Sequence, residues 1–292
     1  MKRLIRWLKL VEFMQFNLYS KSAEIFKKDN KLSGFLKDLA EDESYLSHFI
    51  TCASQYLQSI KYDIPLDVDI DEDIKKKIEA PLVEYTMLIE TNRMHNKSTI
   101  LKAIFEIETS DLNEILNYAI QILKKFSVVF QYTATKLQIH KKRIYKYFKS
   151  IGEESFFLNV FKEKEDFYKC KIIIIDNNEI AGKILKDLLK KKVKIVTSRN
   201  YSNCIDKLYS NYFDIVIANF NLSEYNGIDF YRKVTKRNIK LTDNFIFYAK
   251  NFEPSEQGFL SMNNIQFLYK PVSLAKLEFF IRNKVDKRML VS

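Results

Sequence analysis

The chain has 292 residues, 47% hydrophobic and 14% aromatic, with a formal net charge of +11; this is apolar material for two cores and excludes an intrinsically disordered chain. Five glycines and four prolines are too few turn formers for an all-β architecture and favour long helices. Cys52, Cys170 and Cys204 stand far apart with no CxxC pair, which excludes a disulfide framework and reads as reduced thiols in a cytoplasmic protein.

The opening stretch MKRLIRWLKLVEFMQF is apolar but broken by Arg6, Lys9 and Glu12. That pattern is neither a signal peptide nor a transmembrane segment. It predicts a buried bundle helix, with a basic amphipathic helix at a membrane surface as the alternative. Apolar residues then recur at three- and four-residue spacing as far as about residue 165. They predict helices over about 2–28, 31–60, 98–125 (with Ser98 as N-cap) and 127–149. Between the second and third, Tyr62–Asp73 holds Pro65 and several aspartates, so a long connection is expected, followed by a short helix near 73–79. Gly152 and the charged stretch Glu163–Asp166 mark a linker.

Beyond the linker the period changes. Short β-branched runs at Lys171–Asp176, Val193–Thr197, Phe213–Asn219, Asn244–Tyr248 and Ile265–Tyr269 alternate with helical patterns. Five such strands predict a parallel α/β sheet. The expected organisation is multidomain: an all-α four-helix bundle over 1–150, a linker over 151–168, and an α/β doubly wound domain over 169–292 with five parallel strands.

The first of these strands, KIIIIDNN, ends in Asp176-Asn177; the third, FDIVIANFNLSEYNGIDF, carries Asn219 and Gly227; the fifth ends FLYKPVSLAKL, with Lys270-Pro271. By these motifs the segment from Cys170 to about Lys287 resembles the flavodoxin-like receiver domain of two-component response regulators. The resemblance implies phosphoryl transfer to an Asp, with two acids holding Mg2+, a Lys pairing with the phosphoryl oxygens, and a Ser or Thr hydroxyl that closes on them. Three positions depart from that scheme. Asn219 replaces the acceptor carboxylate, and a carboxamide cannot form an acyl phosphate. Asp176-Asn177 offers one acid instead of two, which is poor for a hard cation. Tyr248 stands where the small hydroxyl belongs. Asp176 and Lys270 survive, so a pseudo-receiver is expected, with Lys270 satisfied by Asp176 or by the Asn219 side-chain oxygen. The family's partner surface maps to Tyr248, Leu268, Lys270 and the helix Ser273–Val285, with part of the run Phe279, Phe280, Ile281 in an interface.

The stretch VEFMQFNLYSKSAEIFKKDNKLSGFLKDLAEDES carries a second resemblance, to ferritin-like proteins of the rubrerythrin type. Glu12 is followed seven residues later by Tyr19, the second helix reads LAEDE with Glu43, FEIETSDLNEI supplies Glu108 and Asp111, and LQIHKKRIYKYF supplies His140. The resemblance implies a di-iron bundle with a Glu-x-x-His pair on each of two helices. Each pair has lost one half to leucine: Leu46 follows Glu43, and Leu137 precedes His140. His48 lies five residues beyond Glu43, about 140° round the helix, and points elsewhere. The surviving set is Glu12, Glu43, Glu108, Asp111 and His140.

No Ser or Cys sits in a Gly-flanked elbow and no glycine loop could cradle phosphate, so no catalytic residue is expected. The expectation is therefore a non-enzymatic signalling adaptor that works through protein partners, with homodimerisation through the bundle as one form of it, and without a cofactor. One alternative is iron in the bundle, as a sensor or as an oxidase or peroxidase. Another rests on the basic surplus, net +4 over 1–150 and +7 over 151–292. The lysines are interleaved with acids, so nucleic-acid binding is the weaker alternative, recognisable by a steep salt dependence.

Overall fold

The computed structural model describes residues 1–60, 63–126, 130–153, 170–189, 193–211, 213–222, 225–237 and 241–289. The chain forms two compact units, Met1–Pro65 with Glu72–Val160, and Leu66–Asp71 with Phe161–Ser292. Most of the expected linker, residues 154–168, lies outside the described residues. Residues 66–71, expected as part of a connection inside the helical domain over 1–150, belong to the second unit.

The first unit is helical. Its elements are α1 (Lys2–Ile25), α2 (Asn30–Ser59), α3 (Glu72–Glu90), α4 (Lys97–Glu108), α5 (Leu112–Leu123) and α6 (Gln131–Ser150). Leu4, Leu8, Val11 and Leu18 form the buried stripe of α1, and Leu32, Leu36, Leu39, Leu46 and Ile50 that of α2. Such stripes are the face that a helix must bury against a neighbour. The Asp29 carboxylate caps α2 by accepting from the Leu32 amide at 3.0 Å.

Two expectations about helices need correction. The short helix expected at 73–79 runs on to Glu90 through Pro81. Ile78, Leu82 and Tyr85 are buried at i, i+4 and i+7, and that burial outweighs the hydrogen bond proline removes. The single helix expected over 98–125 is two, interrupted at Thr109–Asp111. There the Thr109 hydroxyl donates to the Phe105 carbonyl at 2.7 Å, and the Ser110 hydroxyl accepts from the Leu112 amide at 3.3 Å. Short polar side chains compete with the helical ladder in this way. The cap of α4 is Asn96, which accepts from the Ser98 amide. Four expected main helices and one short one thus become six among the described residues.

The second unit is a five-stranded parallel sheet: β2 (Lys171–Ile175), β3 (Lys194–Ser198), β4 (Ile215–Asn219), β5 (Phe245–Ala249) and β6 (Gln266–Tyr269). The strand order is β3-β2-β4-β5-β6, the doubly wound order of flavodoxin-like domains. The helices α7 (Glu179–Leu189), α8 (Tyr201–Ser210), α9 (Gly227–Arg237), α10 (Pro254–Met262) and α11 (Leu274–Met289) complete it. The strands β2, β4 and β5 are buried along nearly their whole length, as a sheet covered on both faces requires. Their carboxyl ends bring Asp176, Asn219 and Tyr248 to one edge. A further parallel pair joins β1 (Val68–Asp69) to β7 (Val272–Ser273).

Gly227, the first residue of α9, abuts the ring of Phe220. A Cβ added there would stand 2.2 Å from Phe220 Cδ2, and Phe220 is fully buried. Gly227→Ala is therefore expected to destabilise the second unit by about 1–3 kcal/mol. Urea unfolding should show a lower midpoint with an unchanged m-value.

Candidate functional site

Asp176 follows β2 and is almost fully buried. One carboxylate oxygen, Oδ1, accepts from the Asn178 amide at 2.9 Å and from Asn219 Nδ2 at 3.2 Å. The other, Oδ2, accepts from the Tyr248 hydroxyl at 2.8 Å and lies 3.6 Å from Lys270 Nζ. Asn219 Nδ2 also reaches Asn177 Oδ1, at 3.5 Å. The five residues expected at this pocket are thus brought together. Burial, and then the adjacent Asp176 carboxylate, hold the Tyr248 phenol well above its usual range. The phenol therefore stays protonated and donates. Each Asp176 oxygen has protein donors, and the carboxamide of Asn219 turns its nitrogen, not its oxygen, towards the acid.

Lys270 pairs with Asp176 at 3.6 Å, as expected, but its nearer acid is Asp67, with Nζ 3.0 Å from Oδ1. The Asn219 oxygen is not its partner. Asn178 Nδ2 donates to the other oxygen of Asp67. Neither Asp67 nor Asn178 was singled out from the sequence. The mapped partner surface also needs correction: Tyr248 and Leu268 are buried within the unit and Lys270 is partly buried. The exposed apolar side chains here are Met262, Tyr269 and Phe279.

In the helical unit, Glu12 of α1, Glu43 of α2, Glu108 at the end of α4 and His140 of α6 converge in the interior. Ligand atoms of Glu43, Glu108 and His140 lie within 4.8 Å of one another. His140 Nε2 is 3.1 Å from Glu108 Oε2 and 3.4 Å from Glu43 Oε1. Tyr19 donates to Glu108 Oε1 at 2.7 Å, and Asn113 Nδ2 to Oε2 at 3.3 Å. Asp111 does not join them; it precedes α5, beyond the break that ends α4. Leu46 and Leu137 are buried.

His140 is oriented from behind. Its Nδ1 lies 3.1 Å from Asp42 Oδ2, which is held by Arg143 at 2.7 Å. The sequence reading missed this pair, although Arg143 follows His140 by three residues and shares its helix face.

The charges are set by burial and by neighbours. Burial would lower the His140 pKa, but Glu108 and Asp42 outweigh it and raise it to about 10. Burial would raise Glu108, but the His140 cation and three hydrogen bonds hold it below its usual value. Glu12 and Glu43 share a hydrogen bond. Burial pushes Glu12 up to about 7, and burial with the neighbouring carboxylates pushes Glu43 well above the carboxylate range. Near neutrality the cluster is a Glu108–His140 ion pair beside a protonated Glu43. Glu12 Oε2 is buried without a hydrogen-bond partner among the described residues.

Comparison with known proteins bears on the second unit alone. Residues 172–282 match the family model described as "Response regulator receiver domain". No curated protein matches the chain. Among solved structures, the non-phosphorylated HemR receiver domain from Leptospira biflexa is 22% identical, covering 40% of this chain and 94% of that one, with a TM-score of 0.37. A two-component response regulator from Clostridium difficile is also 22% identical, covering 41% and 98%, with a TM-score of 0.38. A CheY-like receiver domain protein from Methanospirillum hungatei JF-1 is 16% identical, covering 42% and 98%, with a TM-score of 0.39. The family match over the predicted strands, together with the strand order and the acid pocket at their carboxyl ends, identifies the C-terminal unit as a response regulator receiver domain.

Proposed function

We propose that this receiver acts in signalling without Asp phosphorylation, as a non-enzymatic adaptor that docks on a protein partner. The observation that carries the reading is Asn219 at the end of β4, donating to Asp176 where an acceptor carboxylate would stand. A carboxamide offers no carboxylate oxygen for attack on phosphorus. Tyr248 takes up the second Asp176 oxygen, and Asp67 faces Lys270 and Asn178, so a hard cation would meet only acids that already have partners. Incubation of the full chain with labelled acetyl phosphate and Mg2+ should give no hydroxylamine-labile label on residues 170–289. Stoichiometric acyl phosphate there would sink the reading. Docking uses exposed side chains of the β6–α11 side, and Tyr269→Ala is expected to weaken partner capture by roughly tenfold if that side chain is an interface anchor.

A second reading concerns the helical unit, and the orphaned Glu12 oxygen favours it. Glu43, Glu108 and His140, with Glu12 beside them, would hold one divalent cation such as Fe2+, Mn2+ or Zn2+. Carboxylate and imidazole donors suit these ions. Asp42 behind His140 Nδ1 supplies the orienting carboxylate that metal-bound histidines use. Bound there, the ion would supply charge to neutralise the buried acids, and a redox metal would supply electron transfer. The leucines at 46 and 137 leave a donor set for one ion instead of two. Chelator-treated protein titrated anaerobically with these ions should bind about one per chain, and Glu43→Gln and His140→Gln should abolish it. No retention by the wild type, or unchanged retention by both variants, would refute this reading. Binding must displace protons from Glu12, Glu43 and the His140 cation, so affinity should rise from pH 6 to pH 8.

The metal-free cluster gives its own pH dependence. Folded Glu12 keeps a proton up to about 7 that the unfolded chain, with a value of 4.5, has released. Folded His140 keeps one up to about 10 against 6.5. The folded state therefore binds more protons across both windows, and stability falls as pH rises through them. In EDTA the thermal midpoint of the helical unit should drop between pH 5 and pH 10. His140→Gln should flatten the upper part of that drop.

A further inference from the structure

The receiver pocket contains a carboxylate from far outside the residues that match the family. Asp67 belongs to the segment Leu66–Asp71, which joins the second unit from between α2 and α3. Its two oxygens face two donors, Lys270 Nζ at 3.0 Å and Asn178 Nδ2. Lys270 is closer to Asp67 than to Asp176, at 3.6 Å, and its side chain is 9% exposed. A buried ammonium needs a fixed anion, and Asp67 provides it.

The segment is fastened on both sides of that contact. The Asp67 carbonyl accepts from the Val272 amide at 2.8 Å, and Val68 pairs with Val272 in register. Val68 and Ile70 are buried, which anchors the strand by its apolar side. Asp71 Oδ2 accepts from the Ala275 amide at 2.7 Å, capping the first turn of α11, where negative charge is favoured. The segment thus grips the pocket lysine, β7 and the start of α11 at once.

We propose that Leu66–Asp71 is a tethered anionic ligand of the receiver pocket, with Asp67 filling the oxyanion position of Lys270 and thereby fixing β7 and the start of α11. This rests on the reading of the domain as an unphosphorylated receiver and names what occupies its site. The anion is supplied in cis by a side chain, so its presence is controlled by the chain on either side of it. Asp71 is followed at once by α3, which begins at Glu72. Withdrawal of Asp67 would leave Lys270 with the more distant Asp176 and free β7 from its strand partner.

The test is lysine acetylation footprinting and amide hydrogen exchange on the full chain. In the wild type, Lys270 should react far more slowly than exposed Lys250, and amides of 66–71 should be protected. Asp67→Asn should speed Lys270 acetylation about tenfold, the order expected for a lost charge-assisted hydrogen bond. It should also raise exchange in 66–71 and 272–275 while 172–175 and 215–218 stay protected. Asp69→Asn, at an exposed position of the same strand, should change neither readout. Equal Lys270 rates in the wild type and Asp67→Asn would overturn the proposal. So would free exchange of 66–71 in the wild type, a result that needs no variant to fold. Acetyl phosphate labelling separates the two readings: a label on a chain whose Lys270 stays protected would overturn only the unphosphorylated receiver.

Discussion

A lysine ammonium stands at the carboxyl edge of the sheet with almost no access to water, and the receiver pocket is organised around it. Lys270 is fixed by its place at the end of β6, and a charge so placed must have an acid within reach. Asp176 is 3.6 Å away and already accepts from Asn178, Asn219 and Tyr248. The closer anion is Asp67. Removing either acid would leave a cation facing a pocket short of negative charge, which is far more costly than losing an exposed ion pair. The local order of β1, β7 and the start of α11 follows from that requirement.

The helical unit solves a related problem with the opposite sign. Three glutamates and one histidine meet in its interior, an excess of potential negative charge. Two responses are visible. The His140 cation, backed by Asp42 and Arg143, neutralises Glu108. Glu12 and Glu43 are pushed towards their neutral forms by burial and by the neighbouring carboxylates, although His140 Nε2 lies 3.4 Å from Glu43. Protons thus balance the cluster where a divalent ion could do so instead.

Much of the receiver was legible in the sequence because parallel strands buried on both faces read as uninterrupted apolar runs. KIIII and FIFYA admit few other interpretations, and Lys270-Pro271 fixed the end of the last strand. The set Glu12, Glu43, Glu108 and His140 came from the resemblance to ferritin-like bundles, and the structure brings these four side chains together. Asp111 failed because a three-residue spacing implies a shared face only on one helix, and Thr109–Ser110 end that helix through their own side-chain hydrogen bonds. Asp67 was missed for a different reason. Leu-Asp-Val-Asp-Ile-Asp over 66–71 alternates strictly, the period of a half-buried strand. Its aspartates and the nearby Pro65 suggested a connection instead. A two-residue strand whose partner lies some two hundred residues away leaves no local trace of that partner.

That remote pairing changes what the losses in the pocket mean. An ammonium so enclosed would destabilise the fold if it were unpaired. Here it stands against an acid that no strand of the five-stranded sheet supplies. The two are coupled: Asp67 without Lys270 would be a half-buried carboxylate without its counter-ion, and Lys270 without Asp67 would lean on an acid that already accepts from three donors. An ion pair joining a receiver strand to an inserted segment is a stronger constraint than either residue alone, because each gives the other its reason to be buried. The asparagine at 219 fits the same logic. A second carboxylate there, beside Asp176 and Asp67, would put three acids around one lysine, whereas the carboxamide donates to Asp176 and adds no charge.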